Sequence, residues 1–242
     1  MPTALRVGLG LWMSAVILGT FLYVPPAQGF AYPEAARIVI LPGAETGTSD
    51  GFAYPEAARI VIFHVPCSIA ALAAYIVSAI YAAGYLRGGR AISDEKSAIS
   101  AGLGLLFTVL ATATGMIFAK IQWGRPWSWD PRQTSILMLM MLYAAYFMLR
   151  TAIPSRTARA RISAAYSILA ALVMPFLLIV LPRIMTSIHP KDTLTGGGGL
   201  SPEYWAALMA AAIGYIWLYV WLFRIQVRVA EFVLAARRVR IE

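Results

Sequence analysis

Long apolar runs alternate with short polar connectors along the whole chain. Six runs stand out, at residues 5–24, 67–86, 98–119, 134–153, 162–181 and 204–223. Each is about 20 residues long, the length that an α-helix needs to cross a hydrocarbon core of roughly 30 Å. Apart from Arg6 and Arg150, which lie near the ends of their runs, none of the runs contains a charged residue. Because lipid offers backbone N–H and C=O groups no partner, each run is predicted to be a transmembrane helix.

The first run occupies the position of a secretory signal peptide but differs from one in two details. Its apolar core is longer than the usual run of about 7–15 residues, and Val24-Pro25-Pro26 is a poor cleavage site. We therefore predict that this run stays in the protein as a membrane helix. The predicted fold is an all-α membrane protein with six transmembrane helices, organised as one domain over residues 1–242.

Positive charge is distributed unevenly between the connectors. If the N-terminus lies inside, the inner segments carry 13 basic and 4 acidic residues, whereas the outer segments carry 7 of each. The positive-inside rule therefore predicts that both termini are cytoplasmic. The net charge of +9 follows from this asymmetry and does not indicate nucleic-acid binding. Composition agrees, since the chain is 60% apolar and 13% charged, against about half and about a quarter in soluble domains.

The first outer connector, residues 25–54, contains one copy of an exact repeat and the start of a second. The sequence GFAYPEAARIVI occurs at residues 29–40 and again at 51–62. A tandem duplication of 22 residues explains the repeat, because Gly29 to Asp50 can be removed without breaking the sequence. The first copy contains no histidine, and we interpret it as a spacer.

Each copy of the repeat is predicted to form a short amphipathic helix that starts at its proline, Pro33 or Pro55. The stretch from Pro55 to Leu86 is too long for one membrane crossing. Pro66 is therefore predicted to divide it, ending a surface helix near His64 and starting the second transmembrane helix.

Three smaller features have structural interpretations. The four glycines at 196–199 predict a flexible hinge, after which Ser201 and Pro202 fit the N-cap and N1 positions of the last helix. Residues 224–242 form a basic tail with interleaved apolar residues, which fits either a helix along the anionic inner membrane surface or a solvated, frayed end. The lone Cys67 gives no disulfide framework and is predicted to be a small buried apolar residue.

The chain has two histidines, His64 and His189. Both are predicted on the outer side, next to the membrane, and each lies close before a proline rather than in the middle of a helix. One such histidine alone would suggest a solvated or capping role. A pair on one face can instead bind a transition metal or occupy the axial positions of haem iron. Zinc is not expected, because no cluster of Cys, Asp or Glu completes its ligand set.

The connector between the third and fourth runs reads WGRPWSWDPR, at residues 123–132. Tryptophan is common at membrane edges as an interfacial anchor, and Asp130-Pro131-Arg132-Gln133 fits the N-cap to N3 positions of a helix as a variant capping box. The density of rings exceeds what an anchor needs. Because Gly124 and Pro126 bend the chain, the rings can form a platform for a flat macrocycle. Arg125 and Arg132 can pair with the carboxylates of that macrocycle.

This connector resembles the signature of the WWD haem-handling membrane proteins, W-G-x-x-W-x-W-D-x-R-x-T. The matching residues are Trp123, Gly124, Trp127, Trp129, Asp130, Arg132 and Thr134. The segment RIVIFHVP is similar to the start of the second transmembrane helix in one branch, the CcmC family of cytochrome c maturation. Six helices and a second histidine between helices five and six also resemble CcmC, whereas the related CcmF and CcsA proteins carry more helices. The resemblance extends from residue 5 to about 223.

The sequence departs from the family pattern in three places. Pro126 stands where members often have a tryptophan, and Phe118-Ala119 stands where an upstream Trp-Gly is usual. The duplicated segment is not a family feature. These departures affect the detailed geometry expected for haem more than haem binding itself.

The resemblance implies a binding protein rather than an enzyme. It implies that haem b is bound transiently, as cargo, at the outer, periplasmic face of the cytoplasmic membrane. His64 and His189 would be the axial ligands, and Trp123, Trp127, Trp129 and Asp130 would form the platform. The implied partners are the haem chaperone CcmE and the ABC transporter proteins CcmA and CcmB with the small CcmD.

Two other functions use the same residues. A transport subunit that moves haem across the bilayer would need a polar path, and no charged residue lies in the middle of an apolar run. A b-type cytochrome would usually hold haem between histidines inside its transmembrane helices, where this chain is predicted to have none.

Overall fold

The computed structural model of the chain describes residues 2–25, 55–189 and 201–239. The α-helices are α1 Thr3–Leu22, α2 Val61–Gly88, α3 Ala91–Trp123, α4 Pro131–Ala152, α5 Arg156–Pro175, α6 Leu181–Ile184 and α7 Pro202–Val239. A 3₁₀ turn, Pro55–Ile60, leads directly into α2, and a π-helical turn, Phe176–Val180, joins α5 to α6. The described residues contain no β-strand.

Within the described ranges, six helical stretches are long and apolar enough to cross a membrane, when α5, the π turn and α6 are taken as one. The prediction of an all-α protein with six transmembrane helices is confirmed, and the protein is a multi-pass membrane protein. Helices α2 and α3 form the centre, with α5 and α7 packed against α2. Helix α4 packs against α3 and α5, and α1 packs along α7.

Close packing at the centre depends on small residues facing large rings. A Cβ atom on Gly104 would lie 2.5 Å from the ring of Tyr75, so only glycine lets α3 approach α2 at this level. The Tyr75 ring stacks on that of Tyr143 with centroids 3.6 Å apart, which brings α4 into the same core. Small residues at such contacts are how helices pack closely in lipid, where no hydrophobic force drives them together.

Buried hydroxyl groups add directional bonds between the central helices. Ser78 Oγ on α2 donates to the carbonyl of Ser97 on α3 at 2.9 Å and lies 2.9 Å from Ser167 Oγ on α5. Ser100 Oγ on α3 donates to the carbonyl of Ala74 at 2.6 Å and lies 2.7 Å from the Tyr219 hydroxyl on α7. Hydrogen bonds of this kind between transmembrane helices each contribute about 1 kcal/mol.

One end of the bundle, here called the histidine end, contains the start of α2, the end of α3, the start of α4 and residues 185–189. At the opposite end, a buried ion pair joins α3 to α4. Arg150 donates two hydrogen bonds to the carboxylate of Asp94, at 2.6 and 3.1 Å, and the two side chains are 11% and 9% exposed. The Arg150 guanidinium also lies 5.8 Å from the centre of the Tyr146 ring.

The predicted break at Pro66 is wrong. Helix α2 runs without interruption from Val61 through Pro66 to Gly88, and the change of helix type falls at Ile60 instead. Pro66 is the sixth residue of α2, where its fixed φ suits a helix and it removes only the bond that would reach the carbonyl of Ile62.

In the second copy of the repeat the helical turn begins at Pro55 as predicted, but Pro55–Ile60 is a 3₁₀ turn that leads into α2 rather than a separate amphipathic α-helix. The first copy and the glycines at 196–199 lie outside the described residues. The cap of the last helix is confirmed, because Ser201 Oγ accepts from the backbone N–H of Tyr204 at 3.3 Å. Helix α7 continues unbroken to Val239 and so includes most of the basic tail. Cys67 is buried, as expected.

The Asp94–Arg150 pair generates a stability prediction. Asp94→Ala leaves a buried guanidinium without its counter-charge, so the free energy of unfolding in detergent should fall by about 3–5 kcal/mol. Lys96→Ala is the matched control, because Lys96 faces Glu231 at 3.8 Å and that carboxylate is 53% exposed. The control should change stability by less than about 1 kcal/mol. Equal effects of the two substitutions would contradict the importance of the buried pair.

Candidate functional site

The histidine end is built on one apolar cluster that lies beneath both histidines. Buried members of the cluster come from α1 and the residues just after it, the 3₁₀ turn, α2, α3 and α7: Val16, Val24, Ala58, Val61, Ile62, Phe118, Ala119, Trp123, Tyr204 and Ala211. Phe63 and Val65, which flank His64, pack against it, and so does Ile188, the neighbour of His189. The two histidines, which lie 125 residues apart in the sequence, are therefore attached to the same piece of core.

Asp130 is the most heavily hydrogen-bonded side chain of the site. Its Oδ1 accepts from the backbone N–H of Arg132 at 2.9 Å and lies 2.7 Å from Nδ1 of His189. Its Oδ2 accepts from Ser187 Oγ and from the backbone N–H of Ile188, both at 2.8 Å. Asp130 is only 5% exposed, so these four donors replace the water that a carboxylate would otherwise bind.

The charge state of Asp130 follows from those bonds. Burial opposes ionisation of the carboxyl, but hydrogen bonds from His189 and Ser187 favour the carboxylate and lower the pKa of Asp130 to about 2. Asp130 is therefore ionised throughout the physiological pH range. An ionised carboxylate only accepts hydrogen bonds, so Nδ1 of His189 carries the proton that they share.

His189 is fixed by aromatic contacts as well as by Asp130. Its ring meets that of Trp123 edge-on, with centroids 4.7 Å apart, and Trp123 in turn meets Phe118 at 5.5 Å. Trp123 is the last residue of α3 and is 5% exposed. Its indole Nε1 is buried and has no hydrogen-bond partner among the described residues, which is uncommon for a buried donor.

His64 lies in the first turn of α2, so the expectation that a separate surface helix ends near this residue is wrong. Its Nδ1 lies 2.8 Å from the carbonyl of Ala111 and 3.2 Å from Thr114 Oγ1, both on α3. A Cβ atom on Gly115 would lie 2.8 Å from Cε1 of the imidazole. Only glycine at this position leaves room for the ring between the two helices.

Sequence reasoning did not find these three partners of His64. The signal was the run of small residues ATATG at 111–115, because small residues on one transmembrane helix mark the close approach of another group. What they accommodate is visible only once the helices are packed.

In both histidines the same nitrogen, Nε2, has no hydrogen-bond partner among the described residues. Nδ1 is hydrogen-bonded in each ring, which leaves Nε2 to bind a ligand. The residues that flank both imidazoles pack against the same apolar cluster. Over residues 2–25, 55–189 and 201–239, no three His, Cys, Asp or Glu side chains come together as a metal site. Two imidazoles suit an iron whose remaining ligands come from a macrocycle.

The three tryptophans of the connector do not form one platform. Trp123 lies in the buried core with His189, whereas the rings of Trp127 and Trp129 form a separate edge-to-face pair at 5.7 Å. Trp129 is 70% exposed and has a φ of +58°, in the left-handed region. A bulky residue rarely adopts this conformation, and such strain is concentrated at functional sites.

Two hydrogen bonds from Thr134 hold the strained connector at Trp129 and Asp130. Thr134 Oγ1 donates to the carbonyl of Trp129 at 3.2 Å, and its backbone N–H donates to that of Asp130 at 2.8 Å. Gly124 ends α3 with a φ of +76°, a conformation suited to glycine.

The predicted cap of α4 is confirmed for Asp130, with Pro131 at N1. Gln133 departs from the capping-box pattern. Its Oε1 accepts from the backbone N–H of Ser128 at 2.8 Å, and its Nε2 donates to the carbonyl of Pro126 at 3.4 Å. Gln133 therefore shapes the tryptophan connector.

The two arginines of the connector differ in their surroundings. Arg125 is exposed, whereas Arg132 is partly buried at the start of α4. Lying on either side of the Trp127–Trp129 pair in the sequence, they are the basic side chains of the connector that could meet carboxylates of a ligand.

Comparison with known proteins finds one family that matches most of the chain. The model of the family described as "Heme exporter protein C", CcmC, matches residues 33–241. The chain is 30% identical over 160 residues to Heme exporter protein C of Bradyrhizobium diazoefficiens, covering 65% of this chain and 60% of that protein. It is 25% identical over 172 residues to the Rhodobacter capsulatus protein of the same name, covering 68% and 69% respectively.

A third relative, Heme exporter protein C of Haemophilus influenzae, is 29% identical over 134 residues, which cover 52% of each chain. The aligned part thus spans between about half and two thirds of these relatives' lengths. Because the family match extends over nearly the whole chain, including both histidines and the tryptophan connector, this protein belongs to the Heme exporter protein C family.

Proposed function

We propose that this protein binds haem at the histidine end and delivers it during the biogenesis of c-type cytochromes. The observation that carries the proposal is the pairing of His64 and His189 over one core, with Nδ1 of each ring bonded and Nε2 left for iron. Membership of a family named for haem export supports haem as the ligand. A relative from Thermosynechococcus vestitus, 40% identical over 53 residues, is named cytochrome c biogenesis protein CcsA.

The residues present fit a haem of the b type carried as cargo. Haem would supply the iron and two carboxylates, and Nε2 of His64 and of His189 would coordinate the iron. The half-buried ring of Trp127 and the exposed ring of Trp129 would cover the porphyrin, and Arg125 and Arg132 would meet its carboxylates. The buried Nε1 of Trp123, which has no partner among the described residues, supports a ligand at this place, because such a donor gains a partner when an acceptor arrives.

We further propose that the protein lies in the cytoplasmic membrane as a single domain, with both termini inside and the haem site on the periplasmic face. The excess of basic residues in the inner connectors supports this orientation. The proposed receiver of haem is the chaperone CcmE, and the proposed assembly partners are CcmA and CcmB with CcmD. In this role the protein binds and presents haem and catalyses no reaction.

The alternative roles are distinguished by what accompanies the haem. A protein that delivers haem should co-purify with a chaperone carrying covalently attached haem, whereas a b-type cytochrome would hold haem without such a partner. His64 lies on a helix, but His189 lies in a connector, which differs from the usual two-helix site of a b-type cytochrome. A transport subunit would be supported by haem movement across vesicles that contain no chaperone.

Haem occupancy tests the two proposed ligands. The purified protein should show a haem spectrum, and His64→Ala or His189→Ala should each weaken haem affinity by about tenfold or more because one iron ligand is lost. The measurement is haem titration followed by visible absorbance. Lys120→Ala, an exposed position one turn before Trp123 on α3, is the control and should bind haem normally. An unchanged spectrum in both histidine variants would remove the axial-ligand assignment.

Gly115 gives an independent test of the His64 position. Gly115→Ala places a methyl group 2.8 Å from the imidazole, so the ring must move and haem affinity should fall toward that of His64→Ala. Gly84→Ala is the matched control on α2, because nothing lies within 4 Å of the added methyl group. Normal haem binding by Gly115→Ala would show that the described position of His64 is not the one used.

The duplicated segment can be tested by deletion. Removing Gly29 to Asp50 leaves one intact copy of the repeat before α2, so haem loading should be unchanged if the first copy is a spacer. Loading is measured by absorbance of the purified deletion variant at matched protein concentration. Loss of loading with normal membrane insertion would assign a function to the duplication.

A further inference from the structure

We propose that Asp130 is a positioning residue that makes His189 the stronger iron ligand and leaves His64 as the ligand that exchanges during haem delivery. The inference rests on the proposed function, because it assigns different roles to the two histidines of that site. It follows from a difference in what each Nδ1 atom contacts.

The two imidazoles have partners of different charge. Nδ1 of His189 lies 2.7 Å from a carboxylate oxygen of Asp130, which is buried. Nδ1 of His64 lies 2.8 Å from the neutral carbonyl oxygen of Ala111. Both partners accept hydrogen bonds at this contact, so both rings carry their proton on Nδ1 and direct a lone pair from Nε2.

The secondary partner of His64 adds no charge. Thr114 Oγ1 lies 3.2 Å from Nδ1, but this hydroxyl donates to the carbonyl of Leu110 at 2.8 Å. It therefore meets the imidazole as a weak neutral acceptor. The contrast between the histidines is thus one full negative charge.

A carboxylate on the outer nitrogen of a histidine ligand raises the electron density at the coordinating nitrogen and fixes the orientation of the ring. A neutral carbonyl fixes the orientation with a smaller electronic effect. His189 should therefore bind iron more strongly than His64. Because Ser187 Oγ and the backbone N–H of Ile188 bond the same carboxylate, the segment that carries His189 is attached to Asp130 as one unit.

The difference in iron affinity between the two histidines determines which ligand should be exchanged during delivery. His64 would be the ligand that an acceptor's own ligand replaces, whereas His189, held by Asp130 and by its edge-on neighbour Trp123, would keep its bond to the haem. The acceptor is thus expected to approach from the side of the site on which His64 lies.

Resonance Raman spectroscopy of the ferrous protein measures the bond between iron and each histidine. In His64→Ala the remaining ligand is His189, and in His189→Ala it is His64. The iron–histidine stretching frequency should be higher in the first variant, because its imidazole is bonded to a carboxylate. Adding Asp130→Asn to His64→Ala should lower the frequency toward that of His189→Ala. Asparagine is a good N-cap residue, so the start of α4 is preserved.

A control and a second measurement make the test independent of the folding of the Asp130 variant. Thr114→Val, added to His189→Ala, should leave the frequency unchanged because the Ala111 carbonyl remains. Carbon monoxide bound to the unsubstituted ferrous protein should displace His64, so its iron–carbonyl spectrum should match that of His64→Ala.

The possible results distinguish unequal histidine ligands from haem binding itself. Equal iron–histidine frequencies in the two single variants, or a carbonyl spectrum that matches His189→Ala, would overturn the asymmetry while haem binding stands. If the unsubstituted protein binds no haem in either iron oxidation state, the proposed function itself fails.

Discussion

The arrangement of the histidine end depends on one buried negative charge, the carboxylate of Asp130, and on the free energy that its burial costs. A buried carboxylate is stable only when donors replace its water, and Asp130 receives them from the start of α4 and from residues 187–189. Satisfying this single group therefore fixes the beginning of a transmembrane helix, the end of the tryptophan connector and the second histidine relative to one another. Without it, the segment that carries His189 would lose three of its hydrogen bonds.

Helix α4 is consequently anchored at both ends by a buried carboxylate. At the opposite end Arg150 of α4 binds Asp94 of α3, and at the histidine end Asp130 binds His189. The first pair has a permanent cation and two parallel bonds, which suits a structural joint. The second has an imidazole with one nitrogen still available, which suits a site that must also bind something else. A buried carboxylate thus stabilises the packing of α4 at one end of the helix and positions a ligand-binding histidine at the other.

The transmembrane helices could be predicted from the sequence because lipid leaves the backbone no alternative to a helix. The caps at Asp130 and Ser201 could also be predicted, since capping is decided within a few residues. The uninterrupted course of α2 through Pro66 could not, because a proline signal does not reveal that one lost bond is tolerated near a helix start. The resemblance brought both histidines and the connector together, but not the bond between Asp130 and His189, which lie 59 residues apart. Nor did it separate Trp123 from the other two tryptophans, since that depends on where α3 ends.

The π-helical turn Phe176–Val180 between α5 and α6 determines the rotation of α6 about the helix axis and therefore the direction in which the chain leaves it. A π turn accommodates one more residue than the α-helix from which such bulges arise, and one residue corresponds to about 100° of rotation and about 1.5 Å of rise. Without the extra residue, the exit of α6 would point in another direction, and residues 185–189 would start from a different side of the bundle. The position of His189 therefore depends on one extra residue in the π turn, because that residue determines the direction in which residues 185–189 leave α6.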